Sequence, residues 1–421
     1  MLPDEFKWWR SATIYHVMID RFAGYTTASE WLQQKAIGGN LRGIAEKLDY
    51  LADLGIDALM LTPWFNGSKS ESENIVTVQT KDDGYHGYHG TDFMDVDPRF
   101  GSVEDVEHLL QELHKRNMRL IMDVVPNHMR YTSPWFQHAF ANADSPYRDW
   151  FVWHDIEPGY MSFKNSFPEI PKLRLDGDAR EYVTQSIRKW LQLGVDSVRV
   201  DHVIGPSREQ IYELIEPLRK EFPQVMIFGE AWFDRFPDPH EISALWSIEG
   251  DTNRLKVWFD DEREMYRAYQ HMNGQPFLDG CLNFKTRDLL LAYTRSNDKH
   301  DRDNLKDQIY SIEEEFPDWL LIAFLGNHDT NRLSFELCDE HNRIKDAFEL
   351  LFELRQPVLL YYGDELGMTQ ESRIWHDGNT DTLCRAPMPW KRSMSEEYWL
   401  DWFKEQIRNR RKRTAAQTTN L

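Results

Sequence analysis

Carboxyl, imidazole and guanidinium groups recur at the ends of four short apolar runs in this chain. Asp123 and His128 stand in MDVVPNH, Arg199, Asp201 and His202 in VRVDH, Glu230 in FGEAW, and His328 with Asp329 in FLGNHD. A single Asp past a strand is ordinarily a turn residue or a helix cap. Four runs ending alike carry more information, because buried carboxylates are costly and collect only around a metal, a cationic partner or a reaction. Arg199 lies two residues before Asp201, so on a strand both side chains share one face, where a guanidinium keeps a carboxylate ionised. A further segment, DGYHGYHG, offers His86, Tyr88 and His89 on a glycine-rich loop. Two histidines three apart are a weak zinc signal, and with no cysteine nearby the expectation is that no metal binds there.

These groups can meet only if the apolar runs are strands of one sheet. Runs at 14–19, 58–61, 120–125, 197–200, 225–228, 281–284, 320–324 and 358–361 alternate with amphipathic stretches at 41–54, 103–117, 179–193, 208–222, 306–315 and 343–355. Eight strands with intervening helices predict an α/β fold, a (β/α)8 barrel whose reacting groups gather on the loops after the strands. The connection after the third strand is too long for one helix. Its aromatic, Pro-containing course (YTSPWF, SPYRDWFVWHD, SFPEIPKL) predicts a small excursion over 129–178, dividing the barrel into 1–128 and 179–421. A closing amphipathic helix is expected at WLDWFKEQIRNRRKR, with no β-sandwich domain after it.

Composition narrows the partners. With 70 acidic against 49 basic residues and a formal charge of -21, the chain repels nucleic-acid backbones and anionic membranes. No apolar run approaches the roughly 20 residues of a membrane-spanning helix, and the N-terminus lacks the basic start and apolar run of a signal peptide. The three cysteines, Cys281, Cys338 and Cys384, are too few and scattered for a disulfide framework, so a reducing, cytoplasmic setting is expected. Aromatic residues make up 13% of the chain, enough to fill the core and still leave rings for stacking on a sugar.

The segments WWRSATIYHVMIDRF, IGGNLRGIAEKLDYLADLGIDALMLTPWF, DGYHGYHGTDFMDVDPRFG, LLYYGDELGM and CRAPMPW, with the four above, resemble the α-amylase family of retaining glycoside hydrolases (family 13), each in the family's order. The resemblance implies Asp201 as nucleophile, Glu230 as general acid/base and Asp329 as a third carboxylate gripping sugar hydroxyls. It also implies His128 and His328 as hydrogen-bond donors to the same sugar, Tyr88 as the ring stacked beneath it, and His86, Asp123 and Arg199 as further site residues. Retaining chemistry needs its two carboxyl groups about 5 to 5.5 Å apart, one to attack and one to protonate the leaving oxygen. The substrate expected is a malto-oligosaccharide, cyclodextrin or related α-glucan, with transglycosylation beside hydrolysis and no organic cofactor. An α-1,6-glucosidase or transglycosidase of the same family is the alternative. A non-catalytic carbohydrate-binding member is disfavoured, because all three carboxylates are kept.

Two departures qualify the resemblance. Many relatives hold a calcium ion through the Asn before the first motif histidine and an Asp in an LPDL-like stretch. Here Asn127 is kept but the stretch reads IPKL, so Lys172 stands in the aspartate's place and the calcium site is expected to be absent. IPKL also resembles the neopullulanase and cyclomaltodextrinase branch. After Asp201, His202, Val203 and Ile204 replace the Lys-His pair of many endo-acting amylases, so cleavage preference does not carry over.

Overall fold

The computed structural model describes residues 7–25, 31–67, 82–155, 158–163, 167–232, 261–317, 320–376 and 380–418. Eight short strands carry the architecture: β1 (Thr13–Val17), β2 (Ala58–Leu61), β3 (Arg119–Val124), β4 (Ser197–Val200), β5 (Met226–Gly229), β6 (Gly280–Leu282), β7 (Leu321–Phe324) and β8 (Val358–Tyr361). Each pairs in parallel with its neighbours in sequence, and β1 closes on β8 with Thr13 opposite Val358. The barrel predicted from the apolar runs is therefore the fold, with each strand within two residues of its expected start.

The strands are buried on both faces, which is why they read as continuous apolar runs rather than alternating ones. Alternate residues point inward. Trp9, Ile14, Ala58, Met60, Ile121, Met226, Phe228, Leu282, Ile322, Phe324 and Leu359 fill the barrel with one apolar cluster. The opposite face of each strand packs on the helices in a second cluster. On β1, β3 and β4 the next inward positions after the apolar layer are His16, Asp123 and Arg199, so the interior turns polar toward the mouth.

Helix ends explain where the sequence reading slipped. The expected helix over 41–54 divides into Leu41–Ala45 and Leu48–Leu54, because Lys47 leaves helical geometry after an i to i+3 bond to Ile44. Phe284, expected at the end of a strand, instead begins helix Phe284–Arg295, because Asn283 accepts the Thr286 N–H as an N-cap. Helix Glu262–Gln270 and the hairpin of Phe65–Asn66 with Asp92–Val96 had no periodic signal long enough to announce them.

Between β3 and helix Gly177–Leu193 lie helix Pro134–Ala141, the turn Arg148–Trp150 and the hairpin Ser162–Phe163 with Phe167–Pro171. Their core is aromatic: Phe136 packs on Phe140, Phe151, Trp153 and Tyr160. This layer is tied back to the barrel by bridges from His128 to Lys172 and Phe151 to Leu173. The last described element is helix Met394–Thr418, whose Arg410 donates to the carbonyls of Phe352, Leu354 and Gln356 just before β8.

Candidate active site

Asp123 and Arg199 are register partners on β3 and β4, both turned inward and essentially inaccessible. Asp201 is the first residue past β4 and Glu230 the first past β5; their backbone N–H groups continue the ladder to Val124 O (2.9 Å) and Val200 O (3.0 Å). Val200 and Gly229 are the preceding register pair, so Asp201 and Glu230 begin side by side on neighbouring strands, which lie about 4.8 Å apart.

One guanidinium joins all three carboxyl groups. Arg199 Nη1 donates to both oxygens of Asp123 (2.8 and 2.7 Å) and to Asp201 Oδ1 (2.8 Å), while Nη2 pairs with Glu230 Oε2 (2.9 Å). Although burial opposes its charge, the carboxyls of Asp123 and Glu230 hold Arg199 firmly protonated. Burial pushes Asp123 up to about 6, and Asp201 and Glu230 each up to about 7, against the pull of the same arginine. Among the described residues a single positive charge meets three buried carboxyls, which leaves the cluster short of counter-charge, so Asp201 and Glu230 share protons near neutrality. Glu230 Oε2 also accepts from the His202 N–H (3.3 Å), whereas its Oε1 is buried with no hydrogen-bond partner.

The remaining residues form a wall around this pair. Tyr88 donates its hydroxyl to Asp123 Oδ2 (2.7 Å), and its ring stacks on His328 at 5.0 Å between centroids, 11° from parallel. His128 Nε2 donates to Tyr88 O (3.2 Å), and burial takes its pKa down to about 4, so the ring is neutral at pH 7. His328 Nε2 meets Asp329 Oδ2 at 3.0 Å, and burial likewise keeps that imidazole neutral. Asp329 is the more open carboxylate, with 29% of its side chain exposed against 12% for Asp201. His86 lies on the same loop as Tyr88, its Nε2 against Asp82 Oδ2 (2.7 Å) and its Nδ1 accepting the Tyr88 N–H (3.1 Å). All nine residues singled out in the sequence thus belong to one connected cluster. Asp123 and Arg199 lie beneath it, Asp123 held by Arg199 and Tyr88 and Arg199 engaged through both terminal nitrogens while its Nε is buried without a partner, so they position the others.

Three further groups belong to the site and were not foreseen. Arg385, from the CRAPMPW segment, bonds Asp329 Oδ1 (2.9 Å), Asp381 Oδ2 (2.8 Å) and His328 O (2.8 Å), setting the third carboxylate and its histidine together. The motif was visible, but nothing in it said which charge its arginine meets. Asp82 pairs with His86 across a loop kinked by Gly84 and Gly87, both at positive φ. Gly87 admits no side chain, since a Cβ there would lie 1.8 Å from Pro63 O. His16 lies edge-on to His328 (4.9 Å) with both ring nitrogens buried and unpartnered.

The neighbourhood of Asn127 holds the buried ammonium of Lys172. Lys172 Nζ donates to Gly205 O (3.0 Å), and Gly205 packs directly on the Asn127 amide.

A family model described as alpha amylase, catalytic domain, matches residues 2–419. The chain belongs to the alpha-amylase family. Among its relatives, Alpha-amylase 2 of Dictyoglomus thermophilum is 27% identical over 417 residues, covering 97% of this chain and 64% of the relative. Neopullulanase 2 of Thermoactinomyces vulgaris is 24% identical over 440 residues, 99% of this chain and 65% of its own. Intracellular maltogenic amylase of Bacillus subtilis is 26% identical, covering 98% and 63%. The chain thus spans just under two thirds of the length of these relatives. Relatives named neopullulanase and cyclomaltodextrinase agree with the branch that IPKL implied. Among solved structures, Ttha1563 from Thermus thermophilus superposes with a TM-score of 0.74 at 25% identity, covering 96% of this chain and 82% of that one. The cyclic alpha-maltosyl-(1-->6)-maltose hydrolase of Arthrobacter globiformis gives 0.73 at 24%, covering 96% and 82%, a likeness of fold. Within the alpha-amylase family the wall of Tyr88, His128, His328 and Asp329 around two inward carboxyls falls where a barrel enzyme builds its site.

Proposed function

We propose that this protein is a retaining hydrolase of α-glucosidic bonds in malto-oligosaccharides, cyclodextrins or related α-glucans, passing the sugar to an acceptor hydroxyl when one replaces water. The observation that carries the reading is the placement of Asp201 and Glu230 on adjacent strand ends, bound to one guanidinium. Side chains starting about 4.8 Å apart and facing the same cation suit the 5 to 5.5 Å of a retaining pair better than the roughly 6.5 to 9.5 Å gap that admits an inverting water. Asp201, ion-paired with Arg199, attacks the anomeric carbon. Glu230, whose Oε1 has no protein partner to hold its proton, gives that proton to the leaving oxygen and then takes one from the incoming water or sugar. Asp329, fixed by Arg385, and the neutral His128 and His328 meet the sugar's hydroxyls, where bonds that tighten in the oxocarbenium-like state lower the barrier.

Lys172 would supply in this chain the charge that calcium brings elsewhere. Among the described residues no helix is long and apolar enough to cross a membrane, and all three cysteines are free, which fits work in a reducing compartment like that of the relative named intracellular maltogenic amylase. The test is proton NMR of the first product formed from maltotriose, from a cyclodextrin and from an α-1,6-linked substrate. Retention at the new reducing end is expected, whereas an initial β-anomer would overturn the assignment. The substrate that turns over fixes the linkage.

A further inference from the structure

Outside the carboxyl pair, the loop carrying Tyr88 holds a second cluster. Asp82, His86 and His89 each offer one ligand atom, and these atoms all lie within 4.8 Å of one another. A tetrahedral zinc with bonds of about 2.0–2.2 Å places its ligands a little over 3 Å apart, so small side-chain movements close the set. The imidazoles of His86 and His89 stand 4.4 Å apart and 88° from coplanar, an arrangement in which two ring nitrogens can converge without the rings clashing. His89 Nδ1 is buried and has no hydrogen-bond partner. Asp82 is already oriented: its Oδ1 accepts the Gly84 N–H (2.6 Å) while Oδ2 faces His86. Such second contacts fix ligands in metal sites. The sequence concealed this set because Asp82 precedes His86 by four residues in a loop with no helical period.

We propose that Asp82, His86 and His89 bind a divalent cation of the zinc class, and that its binding inhibits the enzyme. Two nitrogens and one carboxylate select zinc, cobalt or nickel over calcium and magnesium, and three protein ligands leave the fourth position to water. Carboxylates of Glu169 and Asp381 lie within electrostatic reach of the cluster and favour the ion, while the guanidiniums of Arg130 and Arg385 oppose it.

Inhibition follows from His86. Its Nδ1 accepts the Tyr88 N–H at 3.1 Å, so the ring proton sits on Nε2, toward Asp82. A metal at Nε2 requires that proton on Nδ1, where it opposes the Tyr88 N–H. The proton moves within the ring, the bond to Tyr88 breaks, and the turn bearing Tyr88 and its Asp123 contact must re-form. Metal binding does not depend on the hydrolytic reading; the inhibition rests on it.

The experiment uses the whole chain after EDTA treatment, titrated with Zn2+ by calorimetry and with Co2+ by visible absorption, alongside hydrolysis rates. Expected are one metal per chain, an intense tetrahedral Co2+ band, and a loss of hydrolysis that saturates with the same midpoint. His89→Gln, outside the sugar wall, keeps its metal-free rate and weakens binding and inhibition at least about tenfold; Asp82→Asn weakens binding alike. Should His89→Gln unfold, Asp82→Asn and the Co2+ spectrum of the native protein decide. Absence of a stoichiometric Co2+ band, or binding unchanged in both variants, overturns the site. Stoichiometric binding with undiminished hydrolysis overturns the inhibition. A protein that hydrolyses no α-glucan refutes the proposed function while the spectrum still tests the site.

Discussion

Replacing Arg199 by Met tests the electrostatic core of the site. The side chain is buried and contacts Asp123, Asp201 and Glu230 at 2.7 to 2.9 Å, so its loss leaves three buried carboxyl groups with no cation from the described residues among them. At an effective dielectric constant of about 20 a charge pair some 4 Å apart is worth about 4 kcal/mol, or about three pKa units. Asp201, at about 7 in the native site, would then ionise only near pH 10. At pH 7 the attacking carboxylate falls from about half the molecules to about one in a thousand, a loss of several hundredfold in kcat/KM. The assay is kcat/KM against pH on a chromogenic malto-oligosaccharide, with circular dichroism as the control for folding. The native acid limb should lie near neutrality and that of Arg199→Met should move up by at least two units, activity recovering partly at high pH. Arg199→Lys, keeping the charge but not the fork, should fall between. A folded Arg199→Met whose acid limb has not moved, or whose activity drops less than tenfold, would refute the reasoning.

Asp201→Asn and Glu230→Gln should each lower turnover of an unactivated α-glucan by at least about a thousandfold with the melting temperature nearly unchanged or raised, since each removes a chemical step and a buried charge; differential scanning fluorimetry beside the rate assay checks both. Asp364, buried 3.9 Å from Arg332, has its pKa raised by burial to about 7, so it takes up a proton on folding between about pH 4 and 7, and stability declines as pH rises through that window. Asp364→Asn should therefore flatten stability against pH near 5.5 by up to about 1.4 kcal/mol per pH unit in urea titrations, and an unchanged slope would count against it. Calcium added to the EDTA-treated protein should leave its melting temperature where it is, and Lys172→Met should cost about 1–3 kcal/mol by leaving the buried Gly205 carbonyl without its donor. A melting point that falls with EDTA and recovers with calcium would reverse that assignment.

The strands were legible because a parallel sheet buried on both faces writes itself as continuous apolar runs such as Ala58–Leu61 and Val358–Tyr361. Residues at strand ends inherited that legibility: once Val200 and Gly229 are paired, Asp201 and Glu230 have nowhere to be but adjacent. Groups on loops carried no such periodic signal: His86 and Tyr88 were legible only through the resemblance of DGYHGYHG, and Arg385 and Asp82 not at all. The loop of Asp82 turns at Gly84 and Gly87, Arg385 follows the turn Asp381–Cys384, and no periodicity records where such a path ends. His16 was hidden differently, since on the strand it reads as one polar residue in an apolar run, and only the closed barrel brings it against His328. Cap chemistry outweighed apolar content at Phe284, where Asn283 decided the boundary.

The seam between β1 and β8 has a consequence for how the protein is made. Thr13 finds its partner only when Val358 exists, so the barrel stays an open sheet with two unpaired edges until β8 has been made. Contacts so distant in sequence pay their loop-closure cost late and fold slowly, and unpaired edges are where nascent chains associate wrongly. Arg410 fastens the segment leading into β8 from helix Met394–Thr418, made later still, so that segment is secured only after β8 itself has been made. Ribosome-bound fragments ending before that helix should then be the stage most dependent on chaperones and most easily cut by protease.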